Sequence, residues 1–260
     1  IEDVRLYQPE RQQHLINREL ETAHSIQESF LPDRIPALAG WDIGALWCPI
    51  RSVAGDFYDF YALSGGRVGI VIADVSGKGI PAALFMALGV TVLRYGMSIN
   101  LPPHEVLRHA NEMIISEQRS RMFATTFVGY LDPASGEMRF ACGGHNPPLW
   151  YHAATGTVDY VTAQGVAVGI FKDAEFAPDR LRLEPGDIVV LYTDGITEVL
   201  NSEEEEFGED RLEALIRQHT ALSAQELADR ILETINDFAA EQELSDDATL
   251  VIVKRAGDDQ

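Results

Sequence analysis

Four acidic positions in this 260-residue chain stand where an apolar run gives way to a turn: Asp56 in AGDFYD, Asp74 in IADVSGKG, Asp194 in LYTDGI, and the adjacent pair Asp246 and Asp247 in SDDATL. A carboxylate at the end of a buried strand is costly to desolvate unless a cation or several donors offset it. One such residue is ordinary, whereas four separated ones ask for a common explanation, and convergence on metal supplies it. Carboxylates without histidine or cysteine alongside are hard oxygen ligands, which favour magnesium or manganese over zinc. Ligands drawn from several distant segments favour two ions over one. Two cations that share a water and neutralise phosphate oxygens suit an in-line displacement at phosphorus, so the chemistry predicted is hydrolysis of a phosphate ester. Spacing alone leaves a plainer alternative open, in which these aspartates form turns and cap helices. Asp246 and Asp247 are neighbours in an extended segment and project to opposite faces, so only one of the two is expected to touch a cation.

Three further features compete for a role. Arg51 precedes Asp56 by five residues, so a continuous strand would face it away, and only a turn or bulge near Gly55 would bring it to a substrate phosphate. A surface arginine is the simpler reading. His145 in GGHNPP titrates in the range of a general acid, but the glycines before it and prolines after it mark a sharp turn, where histidine commonly bonds local backbone. The segment DVSGKG has glycines and a lysine ahead of a helix, yet lacks the spacing of a phosphate-binding P-loop. Its glycines let the chain bend past the aspartates before Pro81 opens a helix, leaving Lys78 near the site.

The elements that must position these residues are legible from periodicity. From Glu10 to Leu31 there is neither glycine nor proline, and Ile16, Leu20, Ala23 and Phe30 form a heptad-compatible stripe with Gln27 at the skipped position; Pro32 ends this helix. Strand patterns follow in WDIGALWCPI, DFYDFYAL and RVGIVIADV, then two helices, from Pro81 to about Met97 and from His104 to about Arg119. ATTFVGYLD, EMRFACGG, PPLWYH and TVDYVT read as antiparallel strands, and RLRLEPGDIVVLYTDG reads as a hairpin around Pro185 and Gly186. Two amphipathic segments, Glu209 to Gln218 and Ser223 to Ala240, precede a last strand, ATLVIVKR. Strands, helices, strands, helices and a strand in that order predict an α+β sandwich with sheets inside and helices outside.

Composition narrows the partners. Forty-one acidic against 20 basic residues give a formal charge of −21, which repels nucleic acid and anionic lipid. Cys48 and Cys142 lie in strand-like contexts without CxxC spacing, as core residues of a reducing, cytoplasmic protein would. No segment is expected to be long and apolar enough to span a membrane, and the opening Ile1 reads as a fragment of something longer. The run Glu203 to Glu206 reads as a solvated loop.

The ordered set AGDFYD, ADVSGKG, GGHNPP, LYTDGITE and SDDATLVIV resembles the PPM metal-dependent protein phosphatases, in the bacterial branch named for stage II sporulation protein E. LETAHSIQESFLP resembles the signature ahead of that domain in the branch's sigma-factor regulators, so the resemblance runs over about residues 18 to 255. It implies an αββα sandwich, two antiparallel sheets flanked by helices, with a linker helix over 1–33 and the phosphatase domain over 34–256. It implies serine/threonine phosphatase activity with two Mn2+ or Mg2+ ions held by Asp56, Asp74, the backbone carbonyl of Val75, Asp194 and Asp246, with Asp247 supporting from behind and Arg51 available to phosphate. The implied substrate is a phosphorylated anti-sigma-factor antagonist. An upstream sensor domain and a homodimer paired through the N-terminal helix are implied as well. Ala54 stands where the family has the first glycine of Gly-Gly-Asp, and GVAVGI replaces a leucine-glycine variant; neither removes a ligand. Two other functions fit a chain of this type: a binding module of the same fold with negligible turnover, and a phosphatase of small molecules.

Overall fold

The computed structural model describes residues 2–117, 121–240 and 244–257. Helix α1 (Glu2–Glu28) leads into strands β1 (Trp41–Cys48), β2 (Phe57–Ala62) and β3 (Val68–Val75), then helices α2 (Ile80–Ser98) and α3 (Pro103–Glu117). Strands β4 (Ala124–Leu131), β5 (Glu137–Gly143), β6 (Leu149–His152), β7 (Thr157–Tyr160), β8 (Asp179–Arg182) and β9 (Ile188–Tyr192) follow. The chain closes with α4 (Asp194–Thr197), α5 (Gly208–Gln218), α6 (Ala224–Ala239) and β10 (Ala248–Arg255). α1 starts eight residues before the expected Glu10. The expected end of α3 at Arg119 lies outside the described residues.

Two five-stranded antiparallel sheets stack face to face, ordered β1-β10-β9-β6-β7 and β2-β3-β4-β5-β8. The central strands are apolar on both faces because both are covered. Along β3, Ile70 and Ile72 enter the core between the sheets, while Val71, Ala73 and Val75 pack under α2 and α3. Along β10, Val251 and Val253 face the opposite sheet, and Leu250 and Ile252 pack with α5 and α6. Helix layers therefore lie outside both sheets, giving the predicted αββα sandwich. The helices carry their own signals: Pro81 sits in the first turn of α2, and Ser223 with Glu226 forms a reciprocal capping box at α6. Gly44 of β1 lets that helix start against the sheet, since a Cβ there would collide with the Ala224 backbone.

Two expectations are corrected. β8 and β9 are not a hairpin: β8 pairs with β5 and β9 with β10 and β6, so the chain changes sheets at Pro185–Gly186. The buried Asp187 makes the corner, accepting from Glu184 N, Ala153 N and Trp150 Nε1, which ties the turn to β6 rather than back to β8. Secondly, α2 does have the length and apolar content of a membrane span. Most of its length is buried, with Phe85, Met86, Val90, Leu93 and Met97 in the core beneath it.

Candidate metal centre

Period-two alternation delivers the carboxylates to one end of the sandwich. Asp74 continues the face of Ile70 and Ile72 at the end of β3, and Asp56 stands just ahead of β2. Asp194 opens α4 directly after β9, and Asp246 and Asp247 precede β10. Because β9 and β10 are paired, Thr193 and Thr249 meet beside them: Thr193 N donates to Thr249 O and Thr249 N to Thr193 Oγ1.

Asp56 is 2% exposed, and its Oδ2 accepts a 2.6 Å hydrogen bond from Thr193 Oγ1, so a side chain of one sheet grips a carboxylate of the other. Burial, then the neighbouring Asp74 carboxylate, pushes Asp56 well above the ordinary range. Burial and Asp194 push Asp74 up to about 7, partly offset by a hydrogen bond with Asp56. Burial and then Asp246 raise Asp194. This mutual repulsion is the electrostatic signature of acids sharing a site with too little positive charge.

The adjacent aspartates have different surroundings. Asp247 is buried, and its carboxylate accepts from the backbone of the Arg51 loop: Oδ1 from Ile50 N at 3.0 Å and Oδ2 from Gly55 N at 2.9 Å. Burial raises it, and those hydrogen bonds offset the rise. Asp246 is more open: its Oδ1 accepts from Asp247 N at 2.9 Å, and its Oδ2 pairs with Lys78 Nζ at 2.6 Å. Lys78 also donates to Ser245 O at 2.7 Å, so the DVSGKG loop is latched to the SDDATL loop. Val75 is paired with Ala124 at the end of β3, next to Asp74. Arg51 is exposed on the loop that Asp247 fastens.

His145 is 5% exposed, with Nδ1 2.9 Å from Thr125 Oγ1, and Thr125 lies opposite Asp74 in the sheet. Burial pushes the imidazole down to about 4, so at neutral pH it is uncharged, as a residue bridging strands rather than an imidazolium acid. The loop at Gly165 to Gly169 is fastened, with Val168 and Ala124 exchanging backbone hydrogen bonds and Gly169 N donating to Asn111 Oδ1.

Thr193, Trp47, whose Nε1 donates to Asp56 O at 2.8 Å, and the pair of buried Asp59 with half-buried Arg94 went unread in the sequence. Arg94 on α2 donates to both oxygens of Asp59 on β2 and to Phe30 O after α1, at 2.6 to 2.9 Å. An aspartate three residues after Asp56 in a strand that is otherwise apolar was the available signal. Nothing in the sequence near Thr193 distinguishes it from a helix cap.

The donor set is of the hard kind that suits magnesium or manganese, carboxylate oxygens and the Val75 carbonyl at the end of β3, with Lys78 beside Asp246. As the side chains stand, no three acidic, histidine or cysteine groups among the described residues converge closely enough to chelate an ion. Asp56 is turned to Thr193 and Asp246 to Lys78.

The SiaA-PP2C domain of Pseudomonas aeruginosa superposes with a TM-score of 0.83 at 22% identity, over 93% of this chain and 98% of that one. The fold is that of a PP2C-type domain. The model of the stage II sporulation protein E family matches residues 64–256, and the chain belongs to that family. It is 33% identical to phosphoserine phosphatase RsbU of Bacillus subtilis, over 94% of this chain and 72% of RsbU. It is 27% identical to phosphoserine phosphatase RsbP of the same organism, over 91% of this chain but only 57% of RsbP.

Proposed function

We propose that this chain hydrolyses phosphoserine or phosphothreonine on a partner protein with two divalent cations, Mn2+ or Mg2+. The observation that carries the reading is the cluster of raised, oxygen-only carboxylates at one end of a PP2C sandwich. Asp56, Asp74, Asp194, Asp246 and the Val75 carbonyl would hold the ions. Such ions supply charge neutralisation at the phosphoryl oxygens and make a water acidic enough to attack. The chain supplies the rest. Thr193 orients Asp56, Asp247 holds the Arg51 loop to the site and supports Asp246 from behind, and Arg51 reaches out from that loop to a phosphate. By family resemblance the substrate is an anti-sigma-factor antagonist in the cytoplasm, residues 34–256 are the phosphatase domain, and residues 1–33 link it to a sensor. A phosphoserine protein should be a better substrate, by kcat/KM, than small phosphorylated metabolites. The reverse preference would make this a small-molecule phosphatase, and metal uptake without turnover would make it a binding module.

Protons and metal compete for the same carboxylates. Asp74 has a folded pKa of about 7 against an ordinary 3.8, so between those values the metal-free folded state binds more protons than the unfolded chain. Its stability is therefore greatest below that window and falls as pH rises through it. Cation affinity, which needs the carboxylates, rises over the same window. Calorimetry of chelator-treated protein should give a lower melting midpoint at pH 7.5 than at pH 5, and the increment added by manganese should grow with pH. A metal-free midpoint that climbs over this interval contradicts the assignment.

Homodimer formation through α1 is also part of this proposal. Leu15 and Ile16 are 61% and 44% exposed, while Phe30 packs back on the domain and Leu20 and Ala23 are half-buried. Of the stripe, Ile16 is exposed and available to pair, with Leu15 beside it. Light scattering should give a dimer mass for the parent and a monomer mass for Ile16→Glu, and a monomeric parent rules the pairing out.

A further inference from the structure

Gln27 breaks the apolar stripe of α1, and it is 4% exposed. Its amide is used twice on one residue: Nε2 donates to Ala54 O at 2.8 Å, and Oε1 accepts from Ala54 N at 2.9 Å. Ala54, fully buried, is two residues ahead of Asp56 and belongs to no sheet, so this glutamine replaces the strand partner that its backbone lacks. One helical turn earlier, His24 stacks on Trp47 with ring centroids 5.6 Å apart. Trp47 Nε1 donates to Asp56 O at 2.8 Å. Side chains three apart on one helix face thus bear on the backbone to either side of Gly55. Gly55 has little room to shift, since its N–H is held by Asp247 and a Cβ would sit 3.1 Å from Val75 O.

We infer that Gln27 is a positioning residue for the reaction, its amide fixing the Ala54–Asp56 backbone so that the Asp56 carboxylate is held where a cation needs it. The inference rests on the metal-dependent hydrolysis proposed above. Packing alone does not call for glutamine here: at the skipped position of an apolar stripe, leucine would bury more apolar surface and lose less rotamer freedom. The amide is needed only because Ala54 presents both backbone groups to the helix. The register of α1 on the domain is thereby written into the position of Asp56.

The test is titration of Mn2+ into the full chain, followed calorimetrically, beside thermal melts in chelator. Outer partners of metal ligands typically contribute 10- to 100-fold in affinity, so Gln27→Leu should weaken manganese binding by roughly ten-fold or more. Its kcat at saturating manganese should stay near the parent's. Phe30→Ala loosens the same helix by lost packing but leaves the Ala54 contacts, and it should leave manganese affinity near the parent's. Unchanged affinity in Gln27→Leu overturns the inference, as does an equal weakening in Phe30→Ala at an equal loss of melting temperature. If Gln27→Leu fails to fold, His24→Ala, which removes only the stack on Trp47, must weaken manganese binding, and an unchanged value overturns the inference. A parent protein that takes up no manganese overturns the metal reading itself, and this inference with it.

Discussion

Asp74→Asn is expected to lower hydrolysis by about three orders of magnitude or more, since the several kcal/mol that divalent ions contribute to phosphoryl transfer depend on the ligand's charge. Asp194→Asn should behave alike. The amide keeps the shape of the carboxylate, and it removes a negative charge whose burial and neighbours already oppose it. The metal-free melting midpoint of either variant should therefore equal or exceed that of the parent. Loss of turnover with gain of apo stability is a pairing that general damage to the fold cannot produce. Losses of only a few-fold at saturating manganese would remove these residues from the ligand set.

Gly195→Ala should be among the most damaging single-methyl substitutions in the described chain. Gly195 follows Asp194 at the start of α4, and a Cβ on it would overlap the Asp247 carbonyl oxygen and lie 2.8 Å from the carbonyl carbon. The obstacle is backbone, which cannot rotate away, so the two loops that bring Asp194 and Asp246 together must part. Overpacking of this type costs about 3 kcal/mol of stability, and displacing catalytic groups by about 1 Å costs on the order of a hundred-fold in rate. Chemical denaturation and a rate assay on the same preparation measure both. A stable, fully active variant would show that these loops need not approach as closely as they do here.

The glycine also shows what could be read beforehand and what could not. The aspartates were visible in the sequence because each lies beside an apolar run, and strand alternation sends Asp74 to the same face as Ile70 and Ile72. The layers were visible because runs such as VGIVIADV are apolar on both faces, which only a sheet covered twice requires. Sheet membership was hidden. Glu184-Pro185-Gly186-Asp187 has the composition of a hairpin turn, and only the distant partners of Asp187, Ala153 and Trp150, show that the chain changes sheets there. The supports of the site were hidden for the same reason. Thr193 and Asp56 are joined over a separation of 137 residues, and Gly55 and Asp247 over 192, distances at which local propensity carries no information. Gln27 was visible only as a missing apolar residue, and its use became clear once Ala54 was found beside it.

On the proposed chemistry, a divalent cation held by these carboxylates is required to cleave a phosphate ester from protein. The most direct test is release of phosphate from a phosphoserine protein by the purified chain, with manganese and after chelation. Turnover is expected with manganese, none after chelation, and recovery when manganese is restored. Undiminished turnover in excess chelator would contradict that requirement.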